Sequence, residues 1–250
     1  MSTNIFKNYT IHVGTTIPTL DNYWTMEESG IGPRVDKVHG DPLQPGENVP
    51  PGGMSFAAVP GKQGNAFNTK RTGLAFIDSQ GWISNWGLSV TGSCFGASVA
   101  FWIKLSSAVG IPDYRVVFNI FTSGDLITLA LQINNTTPHF LFVGSGHTWV
   151  LDGLISLPFD VWNFVHIFYS GCQVGISVNN GPENILGFTG VGGTIYYVYA
   201  IIENDTNDFI NRYAYLDELA FGAHGKFTPT QIAYLYNGGA GRTWPIVLPP

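Results

Sequence analysis

From Ala66 to Phe221 the chain runs through one short apolar segment after another, each rich in aromatic and β-branched residues and closed by Gly or Asn turn signals. No segment with a helical repeat separates them, so a parallel sheet with crossover helices is excluded. The strands expected are Leu74–Ile77, Trp82–Ser84, Ser98–Leu105, Arg115–Phe121, Ile127–Ile133, His139–Val143, Asn163–Tyr169, Gln173–Val178, Tyr196–Ile202 and Tyr215–Phe221. Two more precede them, Tyr9–Val13 and Asp21–Met26. Such a series predicts an all-β fold, a two-sheet antiparallel sandwich of the jelly-roll kind.

Composition supports a large core: of 250 residues, 44% are hydrophobic and 11% charged, with 31 Gly and 15 Pro spent on turns. Sandwiches of this length fold as one unit, so residues 1–250 are expected to form a single domain. Within it Gly30–Gly64 reads as loop, with a Pro/Gly-rich part at about 40–64, and the end at 242–250 is apolar. A loop that long is functional or shields a sheet edge.

The net charge is −6 and the 11 basic residues are scattered, which disfavours nucleic acid as a partner. No apolar run is long enough to span a bilayer, so no membrane insertion is expected. Cys94 and Cys172 form no CxxC or Cys/His pattern; two buried thiols and one inter-strand disulfide both remain open. The amino end, MSTNIFKNYTIHVG, lacks the pattern of a secretory signal. Synthesis in a cytoplasm is therefore expected, with the sequons at Asn8, Asn135 and Asn204 unused.

One helix is expected, at Pro229–Tyr236. Thr228 is placed as N-cap, Pro229 at the first helical position and Gln231 to complete a capping box. Phe227 and Ile232 can staple the entry, Ile232, Leu235 and Tyr236 form an apolar face, and Asn237-Gly238 supplies a left-handed stop. A helix this short needs a docking surface. It is expected to close an end of the core.

LDELAF at Leu216–Phe221 followed by FTPTQIAYLYNGG at Phe227–Gly239 resembles the carboxy-terminal signature of laminin-G-like, concanavalin A-type jelly rolls. YWTMEESG, DKVHGDPL, PGKQGNAF, SVAFWIKL and WNFVHIFYSGCQVGISVNNG resemble other pieces of that superfamily in the same order. The resemblance spans nearly the whole chain. It implies a concanavalin A-like sandwich and says little about ligand.

Some proteins of that fold hydrolyse glycosides, which takes paired carboxylates projecting from one strand face. Here Glu203 and Asp205 fall in a turn, and Asp217 and Glu218, being adjacent, are expected on opposite faces. No catalytic residue is assigned. His166, on a strand covered on both sides, reads as a hydrogen-bonded structural histidine. The resemblance also implies calcium as a possible cofactor, for which Glu27, Glu28, Asp36 and Asp41 near the first loop and Asp217 from the last strand are the candidate ligands. The alternative is that these acids form turns and solvated strand ends. For sugar, aromatic faces and loop polar groups are needed, and Trp82, Trp86, His147, Trp149 and Asp205 are the candidates.

These readings lead to a non-catalytic recognition or structural module, carried on a virion such as that of a bacteriophage as capsid decoration, fibre or tail. Its expected partners are other virion or assembly proteins and cell-surface glycans, with a homo-oligomer allowed. A stand-alone lectin and a polysaccharide hydrolase or lyase are the alternatives. The apolar tail, RTWPIVLPP, either returns to its own sandwich or docks on a neighbouring subunit.

Overall fold

The computed structural model describes residues 9–10, 20–28, 34–38, 40, 42–43, 59–68, 82–84, 88–89, 96–105, 107, 114–122, 126–134, 137–144, 147–152, 157–170, 173–187, 195–201, 214–222 and 225–250. In chain order the strands are β1 (Tyr9–Thr10), β2 (Asn22–Trp24), β3 (Arg34–Val35), β4 (Pro42–Leu43), β5 (Val59–Pro60), β6 (Asn65–Asn68), β7 (Trp82–Ser84), β8 (Leu88–Ser89) and β9 (Gly96–Leu105). They continue as β10 (Tyr114–Thr122), β11 (Leu126–Asn134), β12 (Thr137–Gly144), β13 (His147–Asp152), β14 (Trp162–Ser170), β15 (Gln173–Val178), β16 (Asn184–Gly187), β17 (Ile195–Ile201) and β18 (Ala214–Gly222). Helix α1 (Pro229–Tyr236) and a 3-10 turn at Asn237–Gly239 follow.

Apart from the β3–β4 pair, these strands form the two sheets of an all-β jelly-roll sandwich. One sheet has the order β1-β8-β17-β10-β11-β12-β13, with β7 also on β17. The other has the order β16-β15-β14-β9-β18-β6-β5, with β2 also on β18. All pairs are antiparallel except the short β1–β8 pair. Within Gly30–Gly64, which the sequence reads as loop from its Pro and Gly, β3 pairs with β4, and β5 pairs with β6 just beyond it. The expected strand at Leu74–Ile77, the stretch around Trp86 and both cysteines lie outside the described residues.

Strand β9 shows why the second sheet is covered on both faces. Val99, Phe101, Ile103 and Leu105 are fully buried on one side, together with Val165 and Ile167 of β14. That side is the sandwich interior. On the other side Ala100, Trp102, Phe164, Ala220 and Tyr23 meet Phe227, Ile232 and Leu235. Helix α1 therefore lies on the outer face of this sheet, where the sequence had suggested the end of the core. Its staple residues and its apolar face match a flat array of small and aromatic side chains, which an open sandwich end does not offer.

The capping box forms as written: Thr228 Oγ1 accepts the Gln231 N–H at 3.2 Å, and Gln231 Oε1 accepts the Thr228 N–H at 2.9 Å. Asn237 stops the helix with φ 50°. The terminal tail returns to its own chain without forming a strand. Ile246 joins the core cluster under α1, and Gln231 Nε2 donates to the Pro249 carbonyl at 3.0 Å.

His166 sits within this outer layer and is fully buried. Its ring stacks on Phe168 and Phe227, and Nε2 lies 3.4 Å from Ser98 Oγ, which also accepts the Phe227 N–H at 2.7 Å. Burial first, then the Lys226 charge, pushes it down to about 3, so the imidazole is neutral. It seats the entry to α1, as a structural histidine.

Candidate functional site

The acidic residues of the last strand do not alternate as a regular strand would dictate. In β18, Asp217 pairs with Trp102 and Ala220 with Ala100, so three steps on β18 oppose two on β9. The extra residue is a β-bulge, and Glu218 within it takes the left-handed φ of 51°. Both carboxylates consequently face the outer layer. The expectation that adjacency puts Asp217 and Glu218 on opposite faces is corrected by this bulge.

The other edge of β18 explains what they meet. Strand β6 pairs with Tyr215 and Leu216, while β2 pairs with Leu219, Ala220 and Phe221. The bulge lies in the gap between these partners, and the turn before β6 and the segment after β2 converge there. Asp217 Oδ2 accepts the Lys62 and Gln63 N–H groups at 2.7 and 2.9 Å. Glu27 accepts the Asn65 N–H at 3.0 Å. Two glycines make the approach possible: a Cβ at Gly61 would lie 2.6 Å from Asp217 Oδ2, and one at Gly64, where φ is +54°, 2.3 Å from Glu27 Oε1.

Asp217 is fully buried, and its Oδ1 has no hydrogen-bond partner among the described residues. Burial pushes its carboxyl up to about 7; the N–H groups of Gln63 and Lys62 oppose this, and the Glu27 charge adds to it. Glu218 is pushed up to about 9, mainly by burial, against the relief of its Tyr23 hydrogen bond. Tyr23 is raised further still by burial and by the Glu218 charge. Its hydroxyl meets both Glu218 and, at 3.1 Å, the Arg242 carbonyl. One phenolic proton cannot serve two acceptors, so a protonated Glu218 donating to Tyr23 satisfies both contacts.

The Asp217 Oδ1, without a hydrogen-bond partner among the described residues, fits a hard cation of the kind the resemblance implies, whereas the Gly61–Gly64 turn presents N–H groups to the carboxylates. Asp217 and Glu27 are the side chains that would hold it, and bound calcium would neutralise the buried Asp217 charge beside the exposed Glu27. Among the described residues no third carboxylate, histidine or cysteine joins them, which leaves loop carbonyls and water as further ligands. Glu28 and Asp36 are committed elsewhere. Glu28 Oε1 accepts the Val35 N–H at 3.0 Å and faces Lys37 at 3.8 Å. Asp36 pins β2, accepting from Tyr23 N at 2.7 Å, Val38 N at 3.1 Å and Asn22 Nδ2 at 2.9 Å. Asp41 lies outside the described residues.

The sign of the pH dependence follows. Both carboxyls are raised, so without a cation the stability they contribute is complete below about pH 4. It is lost as pH rises through about 7 and then about 9. Added calcium is expected to raise the Tm at pH 8, by about 3 kcal/mol of stability at a hundredfold excess over Kd. Asp217→Asn is expected to abolish that response and to remove the loss near pH 7, leaving the Glu218 step near pH 9. Melting curves of both proteins with calcium and with chelator check this, and indifference of both would leave the carboxylates as structural groups.

The sugar candidates do not converge among the described residues. Trp82 lies on β7, beside β17, whereas His147 and Trp149 lie on β13, at the far edge of the same sheet. His147 and Trp149 are strand residues, through the pairing of His147–Asp152 with β12. Trp86 and Asp205 lie outside the described residues.

An aromatic row on the second sheet was not singled out from sequence. The register sets Trp162 of β14 and Tyr215 of β18 directly opposite Lys104 of β9, one on each side. Lys104 Nζ lies 5.3 Å from the Trp162 ring centre and 4.8 Å from that of Tyr215. All three are half-buried. The signal available was the period of two in SVAFWIKL, which places Lys104 on the Trp102 face, but the flanking rings come from distant strands.

No protein-family model matches the chain, and no curated protein matches it. Solved structures do share its fold. The botulinum neurotoxin serotype D binding domain aligns with TM-score 0.55 and 16% identity over 88% of this chain. This chain spans 52% of that domain, about half its length. Domain 4 of AbnA, an extracellular GH43 arabinanase from Geobacillus stearothermophilus solved with arabinotriose, aligns with TM-score 0.55 and 16% identity over 91% of this chain and 100% of its own. A botulinum serotype D ligand binding domain in complex with N-acetylneuraminic acid aligns with TM-score 0.53 and 14% identity, over 88% of this chain and 51% of its own.

Proposed function

We propose that this protein is a non-catalytic glycan-recognition module. The observation carrying the reading is the alignment with an entire sandwich domain solved with arabinotriose, joined by a binding domain solved with N-acetylneuraminic acid. Its own carboxylates agree. Asp217 and Glu218 are 0% and 4% exposed, so neither can reach a glycosidic bond to act as acid or nucleophile.

The module is further proposed to be made in a cytoplasm and displayed on a virion, where it contacts assembly proteins or cell-surface glycans. Trp244 and Val247, 36% and 78% exposed, give the tail an apolar outer side for a neighbouring subunit. A glycan array tests the first part, with arabino-oligosaccharides and sialylated glycans expected among the bound set. An array blank at millimolar ligand would overturn it. Capsid or tail genes beside the coding sequence, and the protein's presence in purified particles, test the second part.

A further inference from the structure

We propose that the Trp162–Lys104–Tyr215 row is a subsite for a carboxylate-bearing sugar, a uronate or sialic acid unit of an oligosaccharide. This inference rests on the glycan-recognition reading and adds where one ligand class binds.

The geometry is that of a clamp. Adjacent strands are about 4.8 Å apart, so the two aromatic residues lie about 10 Å apart with the ammonium between them. Rings supply apolar faces for sugar C–H surfaces, and an ammonium supplies a charge-assisted bond to a carboxylate. The Trp162 indole N–H and the Tyr215 hydroxyl add polar tips, and neither makes a hydrogen bond among the described residues.

Charge selects the ligand class. Lys37 and Lys226 are paired with Glu28 and Glu183. Lys104 has no ion pair among the described residues. Asp160 couples to it through space, but the Asp160 oxygens are bonded to the Ser107 N–H and O–H. A second cation stands beside it: Lys62 Nζ lies 4.6 Å from the Trp102 ring, one strand repeat from Lys104 and on the same face, again without an ion pair among the described residues. The two residues beneath them, Trp102 and Lys104, are about 7 Å apart along β9. Lysines held against aromatic rings, without an ion pair among the described residues and with the exposed Asp160 carboxylate coupled to Lys104 only through space, suit an acidic ligand of small size. A neutral glycan can take only hydrogen bonds from the ammonium groups, whereas a carboxylate also takes their charge, and a nucleic acid requires a longer basic track.

Titration calorimetry of the full chain with oligogalacturonate, its methyl ester, 3′-sialyllactose and arabino-oligosaccharides tests the proposal. The acidic probes are expected to bind more weakly as salt rises, and which of the two binds identifies a uronate or a sialic acid source. Lys104→Gln is expected to weaken that binding about tenfold or more, the methyl ester to lose a similar factor, and Lys104→Arg to retain most of the affinity. Trp162→Ala is expected to weaken it comparably while its melting curve still reports a folded protein. Acidic binding unaltered by Lys104→Gln overturns the proposal. Binding of arabino-oligosaccharides alone also overturns it and leaves the glycan reading standing, whereas a folded protein that binds none of the probes overturns both.

Discussion

Leu235→Ala is expected to lower the stability by about 2–5 kcal/mol, through lost transfer energy and the cavity left behind. Leu235 is 4% exposed and lies in one cluster with Trp102, Phe164, Phe227, Ile232 and Ile246. The wall facing it is a hydrogen-bonded sheet, β9 between β14 and β18, which cannot move inward to fill the void. Helix α1 has eight residues and no independent stability, so weakening its contact with the sheet weakens the whole element. Denaturant unfolding measures the change. A midpoint equal to that of the parent protein would mean that α1 does not dock through this face.

Deleting Thr243–Pro250 is expected to destabilise the chain by about 3–5 kcal/mol, from lost apolar burial and a buried amide left short of an acceptor. Read as sequence, the tail fitted two roles, and the assembly role implied a truncated protein that stays fully folded. The structure seats the tail on its own chain. Ile246 is 6% exposed in the α1 cluster, Trp244 stacks on Tyr23 with ring centres 5.8 Å apart, and the fully buried Gln231 donates to Pro249. Tyr23 is also the partner of Glu218. Losing the tail thus uncovers both the helix and the buried acids. A truncated protein that melts with the parent, yet differs in oligomeric state, would return the tail to an assembly role. The two readings separate in one experiment, because melting reports the core and light scattering reports association.

Much of the fold was legible in the sequence because its signals are local. The period of two in SVAFWIKL sets Val99, Phe101, Ile103 and Leu105 on one face wherever the strand pairs. Thr228, Pro229, Gln231 and Asn237 stop and start α1 through contacts at most four residues away. These elements stand where they were expected. Strands β13 and β16 carried weaker patterns, and pairing with β12 and β15 made them strands. The helix's place on the outer sheet face was not local either, since it depends on which surface offers matching small and aromatic side chains.

The sequence by itself determined most of the long strands, their order and the helix with its caps. Only the tertiary structure decided which acids share a site. Glu27 and Asp217 are 190 residues apart, and β2, β6 and β18 bring them to one gap. A period of two separates Asp217 from Glu218, and the bulge reverses that; a Glu in a left-handed conformation has no local code, because the surrounding pairs impose it. The row of Trp162, Lys104 and Tyr215 likewise exists only in the register of three strands. Backbone propensity and capping act over a few residues, whereas register is set by the whole hydrophobic interior, so long-range pairing decided which of these side chains lie together.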